Sequence, residues 1–544
     1  MTAHAISVPR PGAEPGDGSA GFGFGSLLRA EWIKFRSVRG WVIGMILAAI
    51  LITFLDVFAG ANASIGCQLN GGPVRTGKAC LPYIPYGPGG EVVSDSFAFA
   101  RQPLTGNGTL TARVTALTGE HANVGNGPVQ VGGGAATVPG VAQWAKAGII
   151  IKQGTRQGSA YAAMLVTGGH GIRMQYNYTG DIAGLPGSVS AASPRWLRLS
   201  RAGDTITGYD SADGTHWTRV GSVRLAGLPA TVQVGMFATS PNYFVTQNSF
   251  GGSSNTGGPA QATGVFDQVS LTGSALGTWT GTTVGGGGPI GLGVAPSTRP
   301  VVQHAGTVTV TGSGDIAPVT PGPSGNLPTM TIGQTLAGVF LGLIVIVVIA
   351  AMFFSTEYRR GLIRTTLAAT PRRGAVLAAK AVVIGVVAFA AGLVAAAISI
   401  YVGVPKEVNK GQVLLHASAL TEVRVVVGVA AVLGLAAVIA VALGAILRRS
   451  AAAITLAVLI IVMPFLLTVL NVVPGAAGDW LLRLTPAAGL AIEQSIPRYS
   501  QVYTTVNPIQ GYWPLSPYAG FGVLCLWAAG FLALALLLLR RRDA

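Results

Sequence analysis

Apolar positions fall into two regimes along this chain. In residues 41–59, 334–354, 381–404, 425–447, 451–473 and 518–539 they run almost unbroken. About 20 apolar residues in a helix cover a hydrocarbon core of roughly 30 Å, so these six runs predict transmembrane helices. A buried core helix explains any one such run but not the set. Between the first two runs, residues 60–330 carry short alternating stretches instead: TLTARVTAL, AKAGIIIK, RWLRLSRAG, DTITGYD, HWTRVGSV and TVQVGMFAT, bounded by turn residues. Period-two alternation predicts strands, and DSADGTHW supplies a hairpin-type turn through Asp213 and Gly214. Strands at this spacing favour a two-sheet sandwich or jelly roll. The expected fold is an α-helical polytopic membrane protein of six transmembrane helices with an all-β sandwich/jelly-roll domain, flanked by Gly/Pro-rich segments, inserted between helices 1 and 2.

Composition sharpens this. The 544 residues are 50% hydrophobic and 10% charged, with a net charge of +16, whereas soluble domains carry about a quarter charged residues. The basic residues sit at the ends of apolar runs rather than on a folded polar surface, which argues against nucleic acid as a partner. Arg29, Lys34, Arg36 and Arg39 precede the first run; Arg359, Arg360, Arg364, Arg372, Arg373 and Lys380 lie between the second and third. Arg448 and Arg449 separate the fourth and fifth, and Arg540, Arg541 and Arg542 follow the sixth. The alternate short loops are sparser in basic residues, with Lys406 and Lys410 in one and Arg483 and Arg498 in the other. Lys and Arg collect on cytoplasmic flanks. Both termini are therefore expected in the cytoplasm of a multi-pass plasma-membrane protein, with residues 60–330 extracytoplasmic. At about 2.5 to 3.5 kcal/mol per arginine at a helix centre, burying the five arginines of residues 355–374 would cost about 12 to 18 kcal/mol. Residues 355–380 are expected to be a cytoplasmic loop.

Residues 1–25 lack an apolar core and read as a disordered cytoplasmic tail rather than a signal peptide. In residues 26–40, Leu28, Trp32, Phe35 and Val38 share one side of a helix, with Arg29, Arg36 and Ser37 largely opposite. That pattern suits an interfacial helix in the headgroup plane, or a plain extension of the first span. Residues 474–517 hold Trp480, Tyr503, Tyr512 and Trp513, with Tyr518 just beyond. This outer loop can form re-entrant helices, or its aromatics can act as interfacial anchors. Asp56 sits near the outer end of the first span and other ionisable residues are nearly absent from the spans. A pathway that is apolar or lined by small residues suits amphiphilic cargo better than ions.

Candidate chemistry is sparse. Cys67 and Cys80 flank a short loop on the oxidising side, where a disulfide can form; Cys525 reads as a small packing residue. The six histidines show no ligand spacing, so no metal is expected. Residues 72–78, GPVRTGK, match part of a phosphate-binding loop, but Ala79 replaces the Ser or Thr that holds Mg²⁺ and no strand leads in. No nucleotide site of its own is expected, so the chain is not expected to be an enzyme, and any ATP-driven work would be done by another subunit.

Two resemblances add to this reading. WLRLSRAGDTITGYDSADGTHWTRVGSV, with AKAGIIIK upstream and FDQVSL downstream, resembles the concanavalin A-like lectin and glucanase sandwiches, over about residues 90–273. Such domains often bind glycans, which implies sugar stacking on Trp196 or Trp217; packing of both inside the sandwich is the other reading. The insert's acids show no Glu-x-Asp-x-x-Glu pattern, which disfavours catalysis. In STEYRRGLIRTTLAATPRRG and the residues after it, Glu357, Arg359, Gly361, Arg364, Thr366, Leu367, Pro371, Arg373 and Lys380 resemble the coupling segment of ABC-2 type ABC exporter permeases. Residues 361–370 would form a short amphipathic helix ended by Pro371. The resemblance covers residues 26–59 and 334–542. It implies a separate cytoplasmic ABC ATPase subunit carrying ATP and Mg, a homodimer or sister permease, and contact with membrane lipids. The loop arginines would dock the ATPase, enforce topology and bind anionic lipid, or do both. The implied function is the permease of an ATP-driven exporter of amphiphilic, lipid-like or glycan-linked cargo. The alternative is a membrane-anchored surface protein that binds or senses extracellular glycan without transport.

Overall fold

Burial separates the two regimes as the patterning does. In this computed structural model the described residues are 23–541, less 63–65, 68–74, 82, 124–136, 250–251, 276–277, 286–298, 322–326, 360, 363–364, 366–371, 474 and 505. The helices are α1 (Phe24–Ser37), α2 (Arg39–Asn62), α3 (Val339–Arg359), α4 (Arg373–Ile398), α5 (Val404–Asn409), α6 (Ala419–Leu447), α7 (Ser450–Ile461), α8 (Met463–Val469), α9 (Gly475–Leu484) and α10 (Pro517–Arg541). Among the described residues five helices are long and apolar enough to cross a membrane, or six if α7 and α8, bent by 41°, form one span. The protein is a multi-pass membrane protein with a large β-rich domain.

Two elements depart from the simple runs for visible reasons. The run at residues 334–354 begins before its helix does. Ile332–Leu336 is a 3-10 turn closed by a capping box, with Thr331 N donating to Gln334 Oε1 at 2.7 Å, and α3 starts only at Val339. The third run continues through a π-helical segment, Ser399–Gly403, into α5, so the continuous helical stretch is Arg373–Asn409. Central α6 is the most enclosed helix, with Gly434 set against the carbonyl of Gly385 in α4 and Gly444 against that of Ala351 in α3. Small residues at these crossings let the backbones approach, which is how apolar helices pack in lipid.

The strands are β1 (Val93–Asp95), β2 (Phe97–Ala122), β3 (Lys146–Lys152), β4 (Tyr161–Thr167), β5 (Ile172–Tyr176), β6 (Gly180–Ala183), β7 (Arg195–Ala202), β8 (Thr205–Ser211), β9 (Thr218–Arg224), β10 (Thr231–Thr239), β11 (Ala260–Ala275), β12 (Thr280–Val284), β13 (Thr307–Gly312) and β14 (Ile316–Pro318), with shorter pieces between. One sheet runs β9-β8-β7-β2-β10-β3-β4-β5-β6, with β11 and β12 also on β2 and β13 on β11. Strand β2 organises the roll. Its first half pairs β10 through 98–105 and β12 through 97–101; its second half pairs β7 through 108–114 and β11 through 104–121. Register shifts opposite it bend the strand. Leu110, Ile149, Met164, Leu197, Leu199, Val234 and Phe266 meet inside the roll. A second cluster on the reverse of β3 and β4 gathers Phe97, Phe99, Ile150, Tyr161 and Phe237. Strand β3 is therefore buried on both faces.

The β-domain is fastened to one end of the helix bundle. Val92 of the domain packs with Val413, Leu415, Ile496 and Tyr512 of the bundle's loops, and Thr329–Met330 pairs in parallel with Val413–Leu414. Gly77, in the nucleotide-loop lookalike, has φ +66°, and a Cβ there would lie 2.9 Å from the carbonyl of Asn409. That glycine serves a close approach between domain and bundle. Gln501 Nε2 donates to Tyr178 O at 2.5 Å, and Ser500 Oγ to Asp181 Oδ2 at 2.7 Å. Burial pushes the Asp181 carboxyl up, but bonds from Arg173, Ser500 and Gln175 outweigh it and hold the group below its ordinary 3.8. A depressed carboxylate stabilises above its unfolded pKa and loses that contribution as pH falls through the folded value. Amide protection factors at 496–503, corrected for intrinsic exchange, should therefore be flat from pH 7 to about 4 and should fall only below the 3.8 of the unfolded group; loss of protection near neutrality would contradict this.

Candidate coupling site

At the bundle's other end four charged side chains meet. Lys380, about two turns into α4, is fully buried, and its Nζ donates to Glu31 Oε2 of α1 and to Glu357 Oε1 of α3, both at 2.6 Å. Lys34 of α1 reaches the same carboxylates, at 2.8 Å to Glu31 and 3.6 Å to Glu357. The Phe353 ring lies 5.0 Å from Lys380 Nζ. Two cations thus face two carboxylates, and a buried charge is tolerated only when paired in this way. Burial lowers the Lys34 ammonium's pKa, but Glu31 and Glu357 outweigh it and hold that pKa above its ordinary value.

Further contacts brace the same helix ends. Arg373 Nη1 donates to the carbonyl of Leu539 in α10 at 3.0 Å. Ser355 and Ser450 hydroxyls lie 2.7 Å apart, joining α3 to α7, and the Arg448 guanidinium sits 5.1 Å over the Tyr358 ring. Segment 360–372 therefore leaves and re-enters a junction in which α1, α3, α4, α7 and α10 are all tied together.

Among the sequence-predicted residues, the junction unites Glu357, Lys380 and Arg373. Gly361 is exposed, with φ +69° and open space around it. The Arg359 side chain and Arg364, Thr366, Leu367 and Pro371 lie outside the described residues, as does most of the expected 361–370 helix. Glu31 was not singled out from sequence. Its signal was that it is the one acid in LLRAEWIKFRSVRGW, a turn before Phe35. The buried residues of α1 are Glu31 and Phe35, while Trp32 and Val38 are 47% exposed, so the helix is rotated from the expected Leu28–Trp32–Phe35–Val38 face. The charge pairing with Lys380 decides that rotation.

The other candidates lie in the β-domain and its base. Trp196 and Trp217 are each half-buried and belong to neither apolar cluster. A Cβ on Gly214, at φ +77°, would touch the Trp196 ring at 2.6 Å, so this tryptophan seats the Asp213–Gly214 turn; Arg113 stands 5.7 Å over it. Trp217 donates its Nε1 proton to Gly214 O at 3.1 Å and carries the Arg198 guanidinium 3.6 Å above its ring. Cys80 is disulfide-bonded and Cys525 is free; the Cys67 side chain lies outside the described residues. Among the described residues no cluster of His, Cys, Asp and Glu could hold a metal. In the loop between the last spans, Tyr512 and Trp513 are buried, with Trp513 stacked 5.8 Å from Phe465, whereas Trp480, Tyr503 and Tyr518 are exposed.

No curated protein matches the chain significantly. Among solved structures, a functionally unknown protein from Saccharomyces cerevisiae aligns at 16% identity and a TM-score of 0.19, over 39% of this chain and 93% of its own. Scytalido-glutamic peptidase with a peptide-based transition state analog aligns at 9% identity and 0.21, over 42% and 100%. Likenesses this weak carry no argument. The family model described as ABC-2 family transporter protein matches residues 28–544, taking in the charged junction, every spanning helix and the β-domain; the chain belongs to that family.

Proposed function

We propose that the chain is the membrane-spanning permease of an ATP-driven ABC exporter, in which a separate cytoplasmic ABC ATPase supplies ATP and Mg chemistry and the permease pairs with itself or a sister chain. The Glu31–Lys34–Glu357–Lys380 junction supports this reading most. Both ends of segment 360–372 are anchored in it, so a push on that segment would move α1, α3 and α4 as one body instead of being lost in side-chain motion. In this reading Arg359, Arg364 and Arg373 face the ATPase across a cytoplasmic surface, Gly361, Thr366, Leu367 and Pro371 shape the segment, and Glu357 and Lys380 are positioning residues. In this reading α7 and α8 count as one of six spans, both termini are cytoplasmic and residues 60–330 lie outside. The β-domain is then an extracytoplasmic sandwich of the concanavalin A-like kind, stapled at its base by Cys67 and Cys80, with Trp217 and Trp196 toward glycan. Apolar spans suit an amphiphilic, lipid-like or glycan-linked cargo.

Purification of the whole chain from its native membrane in mild detergent tests this. An ABC ATPase is expected to copurify with the wild type and to be lost with Arg364→Glu. Glu357→Gln is expected to retain ATPase binding while weakening transport-coupled turnover. Absence of an ATPase from wild-type preparations would favour a glycan-sensing surface protein instead.

A further inference from the structure

The face of β7, β8 and β9 turned away from the interior carries uncompensated positive charge. Leu197 and Leu199 point inward, so by the two-residue period Trp196 and Arg198 stand on the opposite face. Cross-strand register then puts Arg219, Tyr209, Arg198 and Thr111 in one row. Arg198 lies flat over Trp217 at 3.6 Å, and its Nε donates to Thr111 Oγ1 at 3.2 Å. Those two contacts fix the guanidinium plane through its Nε edge and one ring face. Arg113, in the next row, is neutralised by a bidentate pair with Asp267 at 2.7 and 2.6 Å. Among the described residues neither Arg198 nor exposed Arg219 forms an ion pair. The adjoining row is flat and hydroxylated, with Thr109 and Ser200 at 3.0 Å and Thr207 and Ser222 at 2.9 Å.

Fixed guanidinium forks match carboxylates in a way a mobile ammonium cannot, and aromatic rings beside them offer a stacking surface for sugar. We infer that this face binds an acidic polysaccharide of the uronic acid type, with Arg198 and Arg219 taking carboxylates and Trp217 and Tyr209 lying along the sugar rings. The inference rests on reading the β-domain as a glycan-contacting module and adds the charge of the glycan.

The test uses the whole chain in nanodiscs, titrated with polygalacturonate, dextran sulfate and neutral dextran. Polygalacturonate is expected to bind and dextran not to. Arg198→Gln should weaken binding by about tenfold or more, the loss of a charge-assisted hydrogen-bonded pair. Arg198→Lys, which keeps charge without the fork, should also weaken it. Arg219→Gln changes an exposed side chain with no ion-pair partner among the described residues, so its expected several-fold loss cannot come from misfolding. Polygalacturonate binding that ignores these substitutions, or binding of dextran sulfate alone, would overturn the inference. Dextran binding that depends on Trp217 would overturn it while leaving the glycan reading intact. No binding of any polymer would remove both, and ATPase copurification from the same preparation reports on the permease reading separately.

Discussion

Lys380→Met is expected to destabilise the protein by about 3–5 kcal/mol, the cost of removing one partner from a buried ion cluster. The lysine is completely enclosed, and without it Glu31 and Glu357 face each other with only Lys34 between them, a side chain 40% exposed. Both carboxylates are largely enclosed, at 4% and 12% side-chain exposure, so α1 should loosen from α3 and α4. The measurement is the unfolding midpoint in detergent, with exposed Arg29→Met as a control for lost positive charge. A Lys380→Met shift no larger than the control's would show that the cluster is not a structural lock. Adding Glu31→Gln and Glu357→Gln should recover most of the loss, because neutral amides carry no comparable desolvation cost. That recovery distinguishes an electrostatic role from simple packing. If the junction also transmits ATPase motion, the recovered triple variant should be stable yet poorly coupled.

The sequence displayed this junction in part. Glu357 and Lys380 stood out because charge beside long apolar runs is conspicuous, and the segment between them was full of arginine. Their partner Glu31 did not stand out, since its helix is basic and its apolar residues suggested a different buried face. Helical periodicity reports which side is greasy; it does not report that a buried lysine on another helix will hold a carboxylate inward. In the β-domain, strands with one wet face were legible: RWLRLSRAG and DTITGYD alternate and lie at β7 and β8. YAAMLVT, now β4, did not stand out: every residue in it is buried, which leaves no alternation to read, and it lacks the flanking lysines and isoleucine run that mark the equally buried β3. The extent of β2 was hidden as well. Its two halves have different partners, and pairing is a property of distant chain.

Lys152→Leu is the second large expected effect, again about 3–5 kcal/mol, this time in the β-domain. Lys152 and Asp95 are both wholly enclosed at 2.8 Å. Asp95 Oδ2 also accepts from Tyr178 Oη at 2.7 Å and from Gly158 N at 2.8 Å. Removing the ammonium leaves that carboxylate buried with only neutral donors. Asp95→Asn in the same chain keeps an acceptor for Tyr178 and Gly158 without the charge, and should recover most of the loss. The damage should reach the bundle, because the carbonyl of Tyr178 holds Gln501. Hydrogen exchange should rise in β3 and in residues 494–503 together; a rise confined to β3 would mean that the domain and the bundle loop are not mechanically joined there. A pH series gives an independent check. Burial pulls the Lys152 ammonium below its ordinary 10.5, with Asp95 only partly offsetting it. Between the lowered folded value and 10.5 the unfolded chain holds more protons, so this group's contribution to stability rises with pH through that window. In Lys152→Leu the rise should vanish, and if wild type and variant keep the same alkaline slope, Lys152 is not the buried titrating group that the Asp95 contact requires.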